Sequence, residues 1–304
     1  MTKQDKGLAH WKRIGAGRAL VVAVGAAVVF AAAPARAESP NKGLVSLSVG
    51  SDFTTAYFFR GILQERDGFI WQPYGEIGFS LFTADEEEAK VNPVRSFSLF
   101  AGSWNSIQSE KTLSDGSGPG NWYEADFYAG LKANFFGNTE AKAFYIAYSY
   151  PGGAFKTVQE IDFQLSLNDT EWLDRWALNP YVLFGGEFDN TALGTDKGAY
   201  AEVGIRPSMV VIDDESYPVS VALPMKAGFS LGSYYEDANG DDDGFGFFQG
   251  GPVVSVPLAF IPAEYGSWAA SAGVALYAFG NNLKQYNDND TPWVVGTTSI
   301  TFSY

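Results

Sequence analysis

The chain from residue 44 onward alternates apolar and polar positions in runs too long for an ordinary strand. In "PVSVALPMKAGFSL", Val219, Val221, Leu223, Met225, Ala227, Phe229 and Leu231 share one parity, and Ser220, Ala222, Pro224, Lys226, Gly228 and Ser230 the other. An ordinary strand has about 5 to 6 residues, whereas one that crosses a bilayer at a tilt needs about 9 to 11. The pattern recurs in "EADFYAGLKA" (124–133), "EIDFQLS" (160–166), "AYAEVGIR" (199–206) and "SWAASAGVALYA" (267–278). One face is apolar to its ends, and the other carries carboxylates, amines, small residues and tyrosine.

A soluble sandwich also alternates, with solvent where a membrane barrel has its lumen, so alternation leaves both folds open. Strand length, an aromatic fraction of 16% and ionisable residues placed in mid-strand favour the barrel. So does the last stretch, "TPWVVGTTSITFSY", in which Val294, Thr298, Ile300, Phe302 and Tyr304 share one parity. It resembles the closing strand of bacterial outer-membrane proteins, whose last aromatic residue is read by the barrel assembly machinery. The expected fold is an all-β, antiparallel transmembrane β-barrel of about 12 strands in a single domain. The runs fall near 44–60, 69–82, 95–107, 122–135, 140–150, 158–168, 176–188, 197–210, 217–232, 245–259, 266–280 and 290–304. An even count brings both termini to the periplasmic side. The odd-numbered connectors, such as 109–121, 232–244 and 281–290, then face outward, and the acidic 83–93 is long for a periplasmic turn. Pro180, Pro207, Pro224 and Pro252 each delete a ladder donor and mark a bulge or a misplaced strand.

Residues 1–37 change the picture of the mature chain. Lys3, Lys6, Lys12, Arg13 and Arg18 precede the apolar "ALVVAVGAAVVFAAA", and "PARA" ends at Ala37, which reads as a cleaved signal peptide with the barrel in 38–304. A membrane anchor is the competing reading, but about 15 apolar residues are short for a span. The single histidine, His10, lies in that segment and there is no cysteine. The mature chain therefore lacks Ser/His/Asp and Cys/His catalysis and imidazole or thiolate metal sites, and no cofactor is expected. Of 20 basic and 35 acidic residues, the segment removes six basic and one acidic, leaving 14 against 34, a net of −20. Such a surface repels nucleic acid. The expected partners are outer-membrane lipid, the assembly machinery and small solutes.

Candidate chemistry lies on the polar parity. Read as one strand, 44–60 puts Val45, Leu47, Val49, Phe53, Tyr57 and Phe59 toward lipid and Asp52 and Arg60 toward the lumen. Eight residues at about 3.3 Å each keep Asp52 and Arg60 roughly 26 Å apart, so each needs a partner on another strand. Glu76, Glu124 and Asp126 are candidates for Arg60, either as braces of the wall or as pore charges. The expected pore-lining set is Asp52, Arg60, Glu124, Asp126, Lys132, Glu160, Asp162, Glu202, Arg206 and Lys226. Six carboxylates against four cations predict weak cation preference. Asp237, Asn239 and Asp241 have calcium-loop spacing, but Asp242 stands where such a loop needs glycine, so a solvated loop is the simpler reading. The pairs Glu124/Asp126 and Glu160/Asp162 suit pore lining better than acid–base catalysis, and no enzyme is expected.

Ser51, Asp52 and Phe53, followed after an insertion by Phe59, Arg60, Gly61, Ile62 and Gln64, resemble the opening motif of the TorF-like porins, also described as the Gcw_chp family of exported proteins. "GSWNSI" (102–107) with Trp104 and Ser106, and "YEADFYAGL" (123–131) with Glu124, Asp126, Tyr128 and Gly130, are similar to later pieces of the same family. The resemblance implies a barrel in the bacterial outer membrane that passes small hydrophilic solutes by passive diffusion. A non-conducting barrel with a structural or surface-adhesion role stays open beside it, as does a soluble periplasmic sandwich.

Overall fold

The computed structural model describes residues 44–110, 121–189, 197–214, 217–237 and 239–304. The signal segment expected at 1–37 and most of the connector at 109–121 lie outside the described residues. Twelve antiparallel strands form the wall. They are β1 (Val45–Thr54), β2 (Ile70–Thr83), β3 (Val94–Gln108), β4 (Trp122–Phe135), β5 (Thr139–Ser149) and β6 (Val158–Leu167). There follow β7 (Tyr181–Asp189), β8 (Ala199–Ile205 with Ser208–Ile212), β9 (Val219–Ala222 with Met225–Gly232), β10 (Phe245–Gly250 with Val253–Pro257), β11 (Ser267–Phe279) and β12 (Trp293–Ser303). Each strand pairs with the next, and β12 pairs with both β11 and β1, so the sheet closes on itself. In the closing pair Ser48 lies opposite Ser303 and Thr54 opposite Thr297.

The two faces are inverted relative to a soluble protein. Phe127, Ile161, Phe163, Leu165, Phe184, Val203, Leu276 and Ile300 are exposed on the outside, while Asp52, Glu124, Asp126, Glu160, Asp162 and Glu202 are buried inside. A sandwich in water buries the first set, so an outward apolar band requires lipid. Exposed aromatics flank this band at both ends. Phe69, Trp122 and Phe155 lie at one end, and Phe136, Trp172, Trp176 and Tyr265 at the end that carries the first and last strand termini. Amphipathic rings collect at membrane interfaces for this reason. The chain is a transmembrane β-barrel, and the sandwich reading falls.

Two expectations need correction. The first strand does not run to Arg60. It stops at Thr54, whose hydroxyl donates to the Ala56 carbonyl at 2.9 Å, and Thr55 makes a last backbone bond to Gly296. The chain then turns into the lumen as a hairpin of Tyr57–Phe59 and Ile62–Glu65. Arg60 and Gly61, with φ of +45° and +82°, form its two-residue turn, where glycine carries no Cβ penalty. Tyr57 and Phe59 consequently pack inside and do not meet lipid. The period of two is the same for a strand that continues and for a hairpin that folds inward, which is why the sequence pattern missed the break.

The prolines mark one shared seam and not misplaced strands. Pro207, Pro224 and Pro252 interrupt β8, β9 and β10, and the flanking registers set Ser208 opposite Ala222 and Ala222 opposite Val253. The breaks therefore align across three neighbouring strands. Each proline lacks an N–H but still accepts: Leu223 donates to Pro207, Gly251 to Pro224 and Val274 to Pro252, at 2.9, 3.2 and 3.0 Å. Pro180 immediately precedes β7, which begins at Tyr181 because 168–180 is occupied by a short helix, α2 (Thr170–Leu173), and a following 3-10 turn. The long acidic connector 84–93 likewise holds a helical turn, α1 (Glu88–Val91).

Phe163 sits in mid-strand on the outer face and is 58% exposed. A Phe163→Arg substitution is expected to destabilise the barrel in phospholipid vesicles by about 2–4 kcal/mol, and Gln164→Arg, on the opposite parity, by much less. Denaturant unfolding of the two variants checks the assignment of faces.

Candidate functional site

The hairpin at 57–65 fills the lumen at one end and is fastened on every side. Its turn is held by Asn287, a fully buried side chain that donates from Nδ2 to the Gly61 carbonyl at 2.7 Å and accepts from the Leu63 N–H at 2.9 Å. Asn287 directly follows α3 (Asn281–Tyr286), whose Leu283 is buried against the same turn. Phe58 stacks on Tyr277 and Phe279 with ring centroids 4.7 and 5.5 Å away, and Phe59 meets Tyr148 edge-on at 4.9 Å. The Tyr57 hydroxyl donates to Glu124 at 2.8 Å, and the Tyr235 hydroxyl donates to the Arg60 carbonyl at 3.1 Å. Aromatic packing of this kind contributes about 0.5–1.5 kcal/mol per pair beyond area burial.

The turn places the Arg60 guanidinium in a cage. Nη1 and Nη2 each donate to one oxygen of Glu160 at 2.6 Å, and Asp162 lies 3.5 Å from Nη2. Nη1 also reaches the Tyr234 hydroxyl at 2.9 Å, and the guanidinium carbon sits 4.1 Å from the Tyr200 ring centroid. The Tyr148 hydroxyl completes the cage by donating to Glu160 at 3.0 Å. A planar fork matched to both carboxylate oxygens is the strong form of a charge-assisted pair. The partners expected from the sequence, Glu76, Glu124 and Asp126, are replaced by Glu160 and Asp162, because Arg60 stands on the hairpin and not on the wall.

The remaining expected residues lie on the inner face of the wall. Asp52 accepts from the Ser299 hydroxyl at 2.5 Å. Glu202 accepts from Tyr181 and Tyr200 at 2.6 and 2.7 Å and pairs with Lys226 at 3.0 Å. The Arg206 guanidinium carbon lies 4.4 Å from the Tyr181 ring centroid. Lys132 stands opposite Lys142 in the β4–β5 register, near the far end of the lumen from the hairpin. Beneath the hairpin is a cavity of about 380 Å³ whose lining includes Tyr57, Arg60, Asp126, Tyr200, Glu202 and Lys226. Asp52, Glu124 and Asp126 each keep one buried oxygen without a hydrogen-bond partner among the described residues.

In the calcium-spaced triplet the hydrogen bonding runs within the loop itself, with the Asn239 side-chain amide donating to Asp237 at 3.1 Å. The Asp237 carboxylate accepts the N–H groups of Asn239 and Asp241 at 2.8 and 3.0 Å, and the Asp241 and Asn239 N–H groups hold its pKa below the ordinary carboxylate range. Among the described residues there is no cluster of three or more His, Cys, Asp or Glu arranged to hold a metal. The residues missed by sequence reasoning are the hydroxyl and amide partners Tyr57, Tyr148, Tyr200, Tyr234, Tyr235 and Asn287. The one local signal was Gly61, a turn glycine between two short alternating runs.

Fold and site together define a transmembrane barrel with a hairpin folded into its lumen. No protein-family model matches the chain, and no curated protein matches it by sequence. Among solved structures it is similar to the COG4313 outer membrane channel from Pseudomonas putida F1, with 12% identity, 96% of this chain and 100% of that chain covered, and a TM-score of 0.45. It is similar also to the beta domain of the Bordetella autotransporter Brka, with 12% identity, 86% and 98% covered, and a TM-score of 0.42. The translocator domain of autotransporter NalP from Neisseria meningitidis gives 10% identity, 87% and 89% covered, and a TM-score of 0.40. The barrel itself rests on the strand pairing of this chain.

Glu160 is fully buried, so Glu160→Ala leaves the guanidinium without its main counter-charge. The expected cost is about 3–5 kcal/mol, with the double variant Arg60→Ala/Glu160→Ala recovering much of it. A double-mutant cycle measured by unfolding in detergent checks this, and additive effects would refute the coupling.

Proposed function

We propose that this chain is an outer-membrane channel for passive diffusion of small hydrophilic solutes, weakly preferring cations, with the hairpin forming its constriction at the outer end. The observation that carries this reading is the state of the interior charges. Arg60 is tied to Glu160 and Lys226 to Glu202, whereas no cation pairs with Asp52, Glu124 or Asp126 among the described residues: Asp52 is met by the Ser299 hydroxyl, Glu124 by the Tyr57 hydroxyl and the Asp126 carboxyl, and each of the three keeps one oxygen unpartnered. A buried carboxylate without a partner draws a proton or a mobile cation. Asp126 lines the cavity, so such a cation would lie on the route through the lumen. The resemblance of the opening motif and of 102–107 and 123–131 to the TorF-like porins points the same way. The proposed activity involves no enzymatic step.

One observation favours a second reading, a barrel that does not conduct and serves a structural or surface-adhesion role. Tyr57, Tyr123, Tyr200, Tyr234, Tyr235 and Phe247 are all buried at the hairpin end, which leaves the lumen tightly packed there.

Purified protein in planar bilayers under a KCl gradient is expected to show a reversal potential of cation-selective sign. That potential should shrink in Glu124→Gln/Asp126→Asn. A reversal potential of anion-selective sign would sink the charge argument, and bilayers that stay silent with folded protein would move the assignment to the non-conducting barrel.

A further inference from the structure

The cage around Arg60 contains more than the hairpin needs for anchorage. Asn287, Tyr57 and Tyr235 already hold the hairpin through its backbone and its first strand. Placing a guanidinium in the lumen carries a desolvation cost that a neutral tip avoids. What surrounds it is a complete set of features for recognising a guanidinium or ammonium group. Glu160 offers both oxygens, one to each terminal nitrogen at 2.6 Å, the Tyr200 ring centroid lies 4.1 Å from the guanidinium carbon, and the Tyr234 hydroxyl accepts from Nη1.

Two further observations point to a ligand. Asp162 keeps Oδ1 without a hydrogen-bond partner, although its side chain is only 4% exposed. The cage therefore holds a second carboxylate that pairs with Arg60 through Oδ2 alone and keeps Oδ1 in reserve. The cavity of about 380 Å³ is lined by Arg60 and Tyr200, so a solute in the lumen meets the Arg60 side chain and one aromatic wall of the cage, with Glu160 fully buried beyond them. With the hairpin backbone held by Asn287, only the Arg60 side chain has to swing aside for another cation to enter.

We propose that the cage of Glu160, Asp162, Tyr200 and Tyr234 is a recognition site for the guanidinium or primary ammonium group of a small cationic solute, and that Arg60 occupies it as a tethered stand-in which the solute displaces. This deepens the channel reading by naming a solute class, and it rests on that reading only for its transport meaning. The tethered side chain competes at an effective concentration on the order of millimolar, so the native cage is expected to bind weakly and the emptied cage more tightly.

Isothermal titration of the full chain in detergent with methylguanidinium chloride tests the site. Saturable binding to the unmutated chain is expected, strengthened about tenfold or more in Arg60→Ala, where the tethered competitor is gone. Tetramethylammonium carries the charge but no N–H donors and is expected not to bind. Adding Glu160→Gln to Arg60→Ala should weaken binding about tenfold or more through loss of the charge-assisted bonds. Asp162→Asn in the same background retains the bidentate carboxylate and should weaken binding less, and heat-dependent gel migration selects folded barrels for each comparison. Absence of saturable binding to the unmutated chain reduces Arg60 to a structural latch and overturns the proposal. Equal affinity with and without the Glu160 charge also overturns it. Binding by a barrel that does not conduct would leave the cage standing and remove the channel, whereas conduction without binding would do the reverse.

Discussion

Inside a bilayer no water is available to a backbone N–H or C=O, so an open sheet edge in hydrocarbon costs several kcal/mol per unpaired group. The pairing of β12 with both β1 and β11 removes that edge, and most other features follow from it. Closure fixes which parity of each strand faces lipid and therefore where the charged residues are forced to go. It also creates an interior that a connector can enter, and the hairpin at 57–65 fills one end of it. Even the proline seam obeys the same demand, since the three proline carbonyls remain paired across β8 to β11.

Driving polar residues inward produces a lumen whose chemistry is set by how each carboxylate is satisfied. Tyrosine and serine hydroxyls serve Glu124, Glu160, Glu202 and Asp52, and each supplies a donor without adding positive charge. Arg60 and Lys226 supply donors that do. The first kind of partner leaves the interior negative while meeting part of its hydrogen-bonding need. The contrast between these partners separates carboxylates neutralised by a fixed cation from those met by neutral donors.

The Arg60 cage joins the two themes. A single connector residue, held at positive φ by a turn that Gly61 makes possible, reaches the wall strand β6 and the loop residue Tyr234 at once. The pair is bidentate and enclosed by aromatic rings, so its removal is felt by the hairpin, the wall and the cavity together. This coupling lets one substitution report on the hairpin and the wall together.

Sequence periodicity by itself determined the strand number, most strand ends to within a few residues, and the assignment of faces in β4, β6, β8, β9, β11, β12 and the part of β1 before the hairpin. That follows because alternation is a local property that each strand carries whether or not its neighbours are known. It also put Glu160, Asp162 and Glu202 on the inner parity. Only the tertiary structure decided that Tyr57, Phe59 and Arg60 leave the wall, because a hairpin turning inward and a strand running on share the same period. It alone brought Arg60 to Glu160, 100 residues apart, and aligned Pro207, Pro224 and Pro252 in one seam. Partnership across strands depends on register and closure, and these are set by the whole ring of strands rather than by any stretch within it.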